Sequence, residues 1–429
     1  MLGFLGITFF PMLFLGVPVA FSLALATIFA YVKMGDPRLF MLIPQRMFTS
    51  MEHVVLLAIP FFILTGEIMN RAQLTDKLVK LAGTLVGGLR GGLAHTNIMS
   101  SMLFAGITGS AVADTVAIGS ILIPAMKKEK YEENFTAAVT AASSVIGPIV
   151  PPSIPMLIYS SVMNVSVAGM FLGGFMPGIL VGLCLMVIAW IISFRKGYGI
   201  MRSFPGFMAL LAAMRDGVPA LLMPVIIMGG ILGGFFSPTQ ASAVAALYGL
   251  IVGFVFYRTL HLRDLGPILK STVSATAMIL FLLACAKSFS WLIAYTQLVK
   301  HVTNVFLSIS TDKVVILLIM NLILLVAGMF LDMGFSIVVL APLMAPVAYS
   351  LGVHPIHFGL IICVNLTIGL ATPPLGLILF AACGIGKVTL TNLSKAIVPF
   401  LLAEVFALLL ITYIPFFTLY FPKIFGYVK

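Results

Sequence analysis

Apolar stretches of about 20 residues recur from one end of this 429-residue chain to the other. At about 1.5 Å per residue, a helix of that length crosses the roughly 30 Å hydrocarbon core of a bilayer. Hydrophobic residues make up 61% of the chain and charged residues 9%, against roughly 45–50% and about 25% in soluble domains. No soluble fold of this size buries so much apolar surface, so lipid must be the solvent. No cleavage pattern precedes a hydrophilic mature region, so the first stretch, 2–32, is expected to stay in the membrane as one helix.

The net charge of +11 would suggest nucleic acid in a soluble protein. Here the Lys and Arg residues sit in short loops between apolar segments, where they set topology, and no nucleic-acid partner is expected. Cys184, Cys285, Cys363 and Cys383 lie singly inside apolar segments, which supports neither a disulfide framework nor a zinc site. No Gly-x-x-x-x-Gly-Lys-Ser/Thr loop and no His-Glu-x-x-His helix is present, and no paired catalytic constellation is visible. An enzyme is not expected.

Membrane crossings are read at 2–32, 51–70, 134–162, 168–194, 217–236, 240–257, 272–296, 356–386 and 396–421. The stretches 92–126 and 314–350 differ. Each is too long for one span and is polar at its middle, Thr108-Gly-Ser-Ala-Val-Ala-Asp114 and Gly328-Met-Phe-Leu-Asp-Met-Gly334. Arg71, Lys77, Lys80 and Arg90 precede the first, and Lys127, Lys128 and Lys130 follow it. Both clusters lie inside only if the stretch enters and returns as a hairpin. That topology also puts Arg195, Lys196, Arg202, Arg215, Arg258, Arg263 and Lys270 inside, with a cytoplasmic amino terminus. Lys33, Arg38 and Arg46 fall outside, against the trend.

Leu74, Leu78, Leu81 and Leu85 make 71–91 an amphipathic arm in the membrane interface, with 297–313 as its counterpart. The expected organisation is scaffold helices (1–70), arm (71–91), a first transport unit of hairpin and broken helix (92–163), scaffold and linking helices (164–296), second arm (297–313), a second transport unit (314–387) and a C-terminal helix (388–429).

The halves match in order. Asp114 precedes Pro124 by ten residues, and Asp332 precedes Pro342 by ten. Proline pairs then follow in Ile146-Gly-Pro-Ile-Val-Pro-Pro152 and Ile368-Gly-Leu-Ala-Thr-Pro-Pro374. With 217–236 as a linking span, an odd number of crossings inverts the second copy. The fold class read from this is an all-α polytopic membrane protein, an inverted-repeat transporter with two re-entrant hairpins and two broken helices. Interrupted segments at matching places point to a transporter's midplane binding site.

The chemistry follows from the interruptions. Pro152 and Pro374 stop the hydrogen-bond ladder, and Gly147 and Gly369 let the backbone turn. Bared carbonyls there suit a hard cation such as Na⁺, and half-helix N-termini suit an anion. The candidate Na⁺ residues are Thr108, Ser110, Gly147, Val150, Gly328, Gly334, Gly369 and Thr372. The candidate substrate residues are Ser110, Ser153, Asp332 and Asp114. Intramembrane carboxylates are functional candidates by default, although Asp114, Asp332 and Ser153 could equally be helix N-caps. Glu67 is read as the partner of Arg71. Lys287 is either a snorkelling residue or an anchor, and Glu404 has no assigned role.

At Gly109-Ser-Ala-Val-Ala-Asp-Thr115, Gly147-Pro-Ile-Val-Pro-Pro-Ser153, Ser237-Pro-Thr-Gln, the Asp332 tip and Gly369-Leu-Ala-Thr-Pro-Pro374, the chain resembles the large membrane subunit of a tripartite ATP-independent periplasmic (TRAP) transporter. The resemblance implies an elevator in the bacterial inner membrane. In it, Na⁺ drives uptake of an organic acid, of the sialic-acid or C4-dicarboxylate class, delivered by a periplasmic substrate-binding protein. It also implies a small membrane subunit, expected as a separate chain. The alternative is a stand-alone Na⁺- or H⁺-coupled carboxylate symporter, which would transport without a binding protein.

Overall fold

The computed structural model describes residues 2–36, 38–199 and 206–428. Among the described residues there are helices and no strands, and eight helices are long and apolar enough to cross a membrane. The protein is an all-α polytopic membrane protein.

The chain runs twice through one order of helices, except that two short helices precede the first arm where a single long helix precedes the second. The first pass is α1 (Leu2–Phe14), α2 (Val19–Met34), α3 (Arg38–Met51), α4 (Ala58–Arg71), the arm α5 (Leu74–Val86), the hairpin α6 (Gly92–Thr108) and α7 (Ala111–Lys128), the broken helix α8 (Glu133–Ser144) and α9 (Ile154–Met163), and α10 (Val167–Lys196). The second is α11 (Phe207–Leu232), α12 (Pro238–Ile251), α13 (Leu262–Tyr295), the arm α14 (Leu298–Ile309), the hairpin α15 (Lys313–Phe330) and α16 (Met333–Ser350), the broken helix α17 (Pro355–Leu370) and α18 (Leu377–Gly386), and α19 (Leu390–Tyr413). A last helix, α20 (Phe416–Ile424), follows.

Both passes turn the same way at the same joints. Each arm starts at a left-handed glutamine, Gln73 (φ 56°) and Gln297 (φ 52°). Lys130 and Gly352, between hairpin and broken helix, are both left-handed, as are Asn164 and Lys387, which close α9 and α18. A capping Ser166 or Thr389 comes two residues later and accepts a backbone N–H from the third residue on. The left-handed region costs a non-glycine residue roughly 1–2 kcal/mol, so its repeated use at equivalent joints marks one backbone design used twice.

Three expected spans are corrected. The stretch 2–32 is two helices packed side by side, turning at Gly16 (φ 83°) before Pro18. Hydropathy misses this turn because Leu15-Gly16-Val17-Pro18 has no polar residue. Likewise α11 packs on α12 after a turn at Gly234 (φ 71°). The 217–236 helix is therefore the counterpart of α1 and not a link between halves, and the count of crossings that put the amino terminus inside loses its first step. The stretch 396–421 is also interrupted, since α19 ends at Tyr413 and Pro415 opens α20.

Packing sorts the helices into two sets. α2 packs on α13, and α4 on α12 and α13; these form an outer set joined by α1, α3 and α11. α10 packs on α6, α17, α19 and α20, and α19 packs on α8, α10 and α17. Residues 167–196 and 390–424 thus pack with the hairpins and broken helices, whereas the expected organisation grouped 164–296 with the scaffold. The apolar face of α5 covers α6 and α11, with Leu74, Leu78 and Leu81 buried and only Leu85 half-exposed. Leu183, Val187, Trp190 and Phe194 form an exposed stripe on α10, as a lipid-facing surface requires. The opposite side of α10 is glycine. A Cβ on Gly174 would lie 2.6 Å from the Ile149 carbonyl and one on Gly178 2.3 Å from Val150, so small residues let the first break press against this helix.

Candidate functional site

Each hairpin tip is a cap. Gly109 turns left-handed (φ 58°) after Thr108, and the Ser110 hydroxyl accepts from the Ala113 N–H at 3.4 Å to start α7. In the second tip, Asp332 Oδ1 accepts from Gly334 N at 2.9 Å and Phe335 N at 3.3 Å to start α16. These tips lie against the breaks. A Cβ on Gly109 would be 2.7 Å from the Pro152 carbonyl, and one on Gly147 would be 3.2 Å from the carbonyls of both Ser110 and Ser144. On the other side, a Cβ on Gly369 would be 2.5 Å from the Gly328 Cα. The second hairpin and α17 cross with no room for a methyl group.

Both tips open on one cavity of about 170 Å³. Ser110 and Val112 bring the N-terminus of α7, Ile154 and Pro155 that of α9, Asp332 and Gly334 that of α16, and Leu377 that of α18. Four helix N-termini therefore converge. Each carries about half a positive charge; the Ser110, Ser153 and Asp332 side chains already accept some of the free N–H groups of α7, α9 and α16, and only α16 carries an acidic cap. Ile279, Leu282 and Leu283 of α13 close the wall from the outer set. A small anion with an apolar flank fits this surround.

The structure divides the sequence candidates. Ser110, Asp332 and Gly334 line the cavity. Ser153 is buried, donates its hydroxyl to the Pro148 carbonyl and caps α9 through Met156 N–H. Asp114 is fully buried one turn inside α7, where Oδ2 accepts from Ser101 Oγ at 2.8 Å. Thr372 donates to the Ile368 carbonyl at 2.8 Å. Thr108 packs against Gly66 of α4, its hydroxyl buried with no hydrogen-bond partner. Val150 packs on Gly178, while Gly147, Gly328 and Gly369 are contact points between hairpins and broken helices. Among the described residues no group of three or more His, Cys, Asp or Glu side chains could hold a metal.

One pairing between the halves is corrected. Asp332 is a cap and Asp114 is not, so the structural partner of Asp332 is Ser110. Ser110 precedes Pro124 by 14 residues and Asp332 precedes Pro346 by 14; each of those prolines precedes its proline pair by 27. The ten-residue match came from Pro342, the first of two prolines in α16. Asp114 is equivalent to Ser336, which is fully buried with an unpartnered hydroxyl.

The α13 wall went unnoticed because Ile279, Leu282 and Leu283 carry no polar signal. A buried polar cluster behind the tips was also missed. In the first half, Asn97, Ser101, Asp114, Thr140 and Ser143 are hydrogen-bonded together. In the second, Asn321, Asn365 and Thr412 are. Aligning the halves on Gln73-Leu74 and Gln297-Leu298 would have found it, because Asn97 and Asn321 each follow their glutamine by 24 residues.

The family model described as "Tripartite ATP-independent periplasmic transporter, DctM component" matches residues 6–417. The chain is 38% identical over 426 residues to the sialic acid TRAP transporter large permease protein SiaM of Vibrio cholerae, covering 99% of this chain and 98% of that one. It is 35% identical over 439 residues to the C4-dicarboxylate TRAP transporter large permease protein DctM of the same organism, covering 96% and 95%. In fold it is similar to the crystal structure of the Alcanivorax borkumensis YdaH transporter, with a TM-score of 0.64 at 15% identity over 91% of this chain and 88% of that chain.

Proposed function

The chain belongs to the DctM-component family of tripartite ATP-independent periplasmic transporters, and from that premise we propose that it is the translocating subunit of a Na⁺-coupled importer of a small organic acid in the bacterial inner membrane. The observation that carries the anionic substrate is the convergence of four helix N-termini on the cavity between Ser110 and Asp332. Substrate carboxylate is held by N–H groups at those termini, and the Ile279, Leu282 and Leu283 wall takes the apolar remainder. Na⁺ is a co-substrate bound at the breaks, where the Ser110 and Ser144 carbonyls meet at Gly147, and those of Leu370 and Thr372 at Gly376. Oxygen ligands of this kind suit a hard cation.

The inner set then slides past the outer set as an elevator. A small membrane subunit completes the outer set, and a periplasmic binding protein delivers the substrate. The relatives' names support both a sialic acid and a C4-dicarboxylate.

The test is reconstituted uptake of a panel of organic acids, with candidate binding proteins and the small subunit, under an inward Na⁺ gradient. Uptake that requires both the binding protein and Na⁺ is expected. Full uptake without a binding protein would make the chain a stand-alone symporter, and full uptake in Na⁺-free buffer would rule out sodium coupling.

A further inference from the structure

We propose that Asn97 and Asn321 are positioning residues: each fastens the first arm of its hairpin to the first half of the adjacent broken helix, so that each tip and the break it faces travel as one piece. The proposal rests on the transport reading above, and neither asparagine touches the cavity between the tips.

The two clasps are built alike. Asn97 Oδ1 accepts from Ser143 Oγ at 2.9 Å, and Asn97 Nδ2 donates to Thr140 Oγ1 at 2.7 Å. Asn321 Oδ1 accepts from Asn365 Nδ2 at 2.9 Å, and Asn321 Nδ2 donates to Thr412 Oγ1 at 3.0 Å. Ser143 and Asn365 each stand eight residues before the first proline of their pair. In both halves the hairpin asparagine therefore spends its oxygen on the same rung of the broken helix and its amide on a threonine. The arms differ beyond that point, with 13 residues from Asn97 to Ser110 and 11 from Asn321 to Asp332. The contact is met at the same rung although the lengths to the tip differ, as expected if the rung and not the tip sets the register of the arm.

Energetics make the clasp hard to open. Every side chain in it is at most 4% exposed. Inside a membrane protein a parted amide finds no water, so separation leaves buried donors and acceptors unpaired. A hairpin that opened as a flap along its broken helix would have to break these bonds in every cycle. Sliding of the whole inner set would leave them intact.

The experiment uses the full chain with its partner subunit, in a background with the four native cysteines replaced. Asn97→Cys with Ser143→Cys, and Asn321→Cys with Asn365→Cys, are joined by a disulfide or a short bifunctional thiol reagent. The joined protein should take up substrate within twofold of the same protein reduced; a tenfold or greater loss that reductant reverses would overturn the proposal. Should a pair be inactive even when reduced, thermal stabilisation by Na⁺ and substrate is compared in the two states, and stabilisation lost only on joining counts against it equally.

Single variants test positioning. With insertion and melting temperature tracked, Asn97→Leu and Asn321→Leu should raise half-saturating Na⁺ at least fivefold, or half-saturating substrate if uptake proves Na⁺-independent. Asn365→Ser, which puts there the side chain the first half uses, should stay within twofold. Unchanged half-saturation in both leucine variants would overturn the proposal. Failure of the transport reading looks different, since wild-type protein would then show no uptake at all.

Discussion

The two hairpins share a cap and a clasp, and they differ in where the carboxylate sits. In the first, Asp114 lies a turn inside the second arm, fully buried and hydrogen-bonded by Ser101. The tip itself is neutral Ser110. In the second, Asp332 is the tip, caps α16 and faces the cavity, while the position equivalent to Asp114 is Ser336. One half keeps its carboxyl group inside the packed helices, and the other presents it at the cavity walled by α13 of the outer set. A duplicated backbone has thus been given two different electrostatic jobs by exchanging residue types at two equivalent positions.

The strongest way to break this comparison is to remove each buried polar group in turn. Asp114→Ala should lower uptake at least about 100-fold, corresponding to roughly 2.7 kcal/mol, while Ser336→Ala stays within about twofold. Uptake by inserted protein in vesicles measures both, and equal effects would mean that the halves are not divided in this way.

The tips come next. Asp332→Ser puts the first half's cap into the second tip and keeps capping, whereas Asp332→Ala removes the cap as well, at about 1 kcal/mol. Both should lose roughly tenfold or more in uptake if the charge matters, and only Ala should also melt earlier. Full uptake in the Ser variant would make the carboxylate a cap and nothing more.

Packing at the tip–break contacts sharpens the comparison further. Gly369→Ala drives a methyl group into Gly328 and should destabilise by about 1–3 kcal/mol. Gly147→Ala meets the Ser110 and Ser144 carbonyl oxygens at 3.2 Å and nothing nearer, so it should melt closer to wild type in detergent. The reverse order would show that the first contact is the tighter one.

The smallest effect is expected at the first residue of the broken helices. Glu132 stands at the N-cap position of α8 without a side-chain cap bond, and His354 caps α17 at the equivalent place. The Glu132 carboxylate accepts from Lys196 and from Tyr198, both at 3.0 Å. The Lys196 hydrogen bond first, then that of Tyr198, holds Glu132 below the usual glutamate range. A depressed carboxylate contributes stability above its unfolded pKa and loses it as pH falls through the folded value. The pair is half-exposed, so Glu132→Gln should cost about 0.2–1 kcal/mol at neutral pH and nothing in acid. Melting curves across pH read this, and a pH-independent cost would remove the ion pair from the account.

Much of the fold was legible because lipid imposes simple rules. Long apolar runs must be helices, and Gly-Pro interruptions inside them must be breaks. Charge clusters flanking 92–126 made it a hairpin, and its counterpart at 314–350 followed by position. Legibility ended where structure used no contrast in polarity. The turn at Gly16 is as apolar as the helices it joins, and the α13 wall of the cavity is three ordinary aliphatic residues. It ended also where two signals competed. Two prolines in α16 offered two registers between the halves, and spacing alone preferred the wrong one. The caps decided it, because a helix can have only one first residue.

By itself, then, the sequence determined the solvent, the helical class, the existence of two hairpins and two breaks, and the family. These depend on composition and local backbone chemistry, which act over a turn or two of chain. Only the tertiary structure decided which polar side chains work together. It set Ser110 and Asp332 on one cavity, sent Asp114 and Ser153 to internal bonds, and packed α10 and α19 with the hairpins and broken helices. Those outcomes turn on which face of a helix meets which neighbour across more than a hundred residues of sequence, and apolar helices in lipid leave that choice to small residues and to a few buried hydrogen bonds.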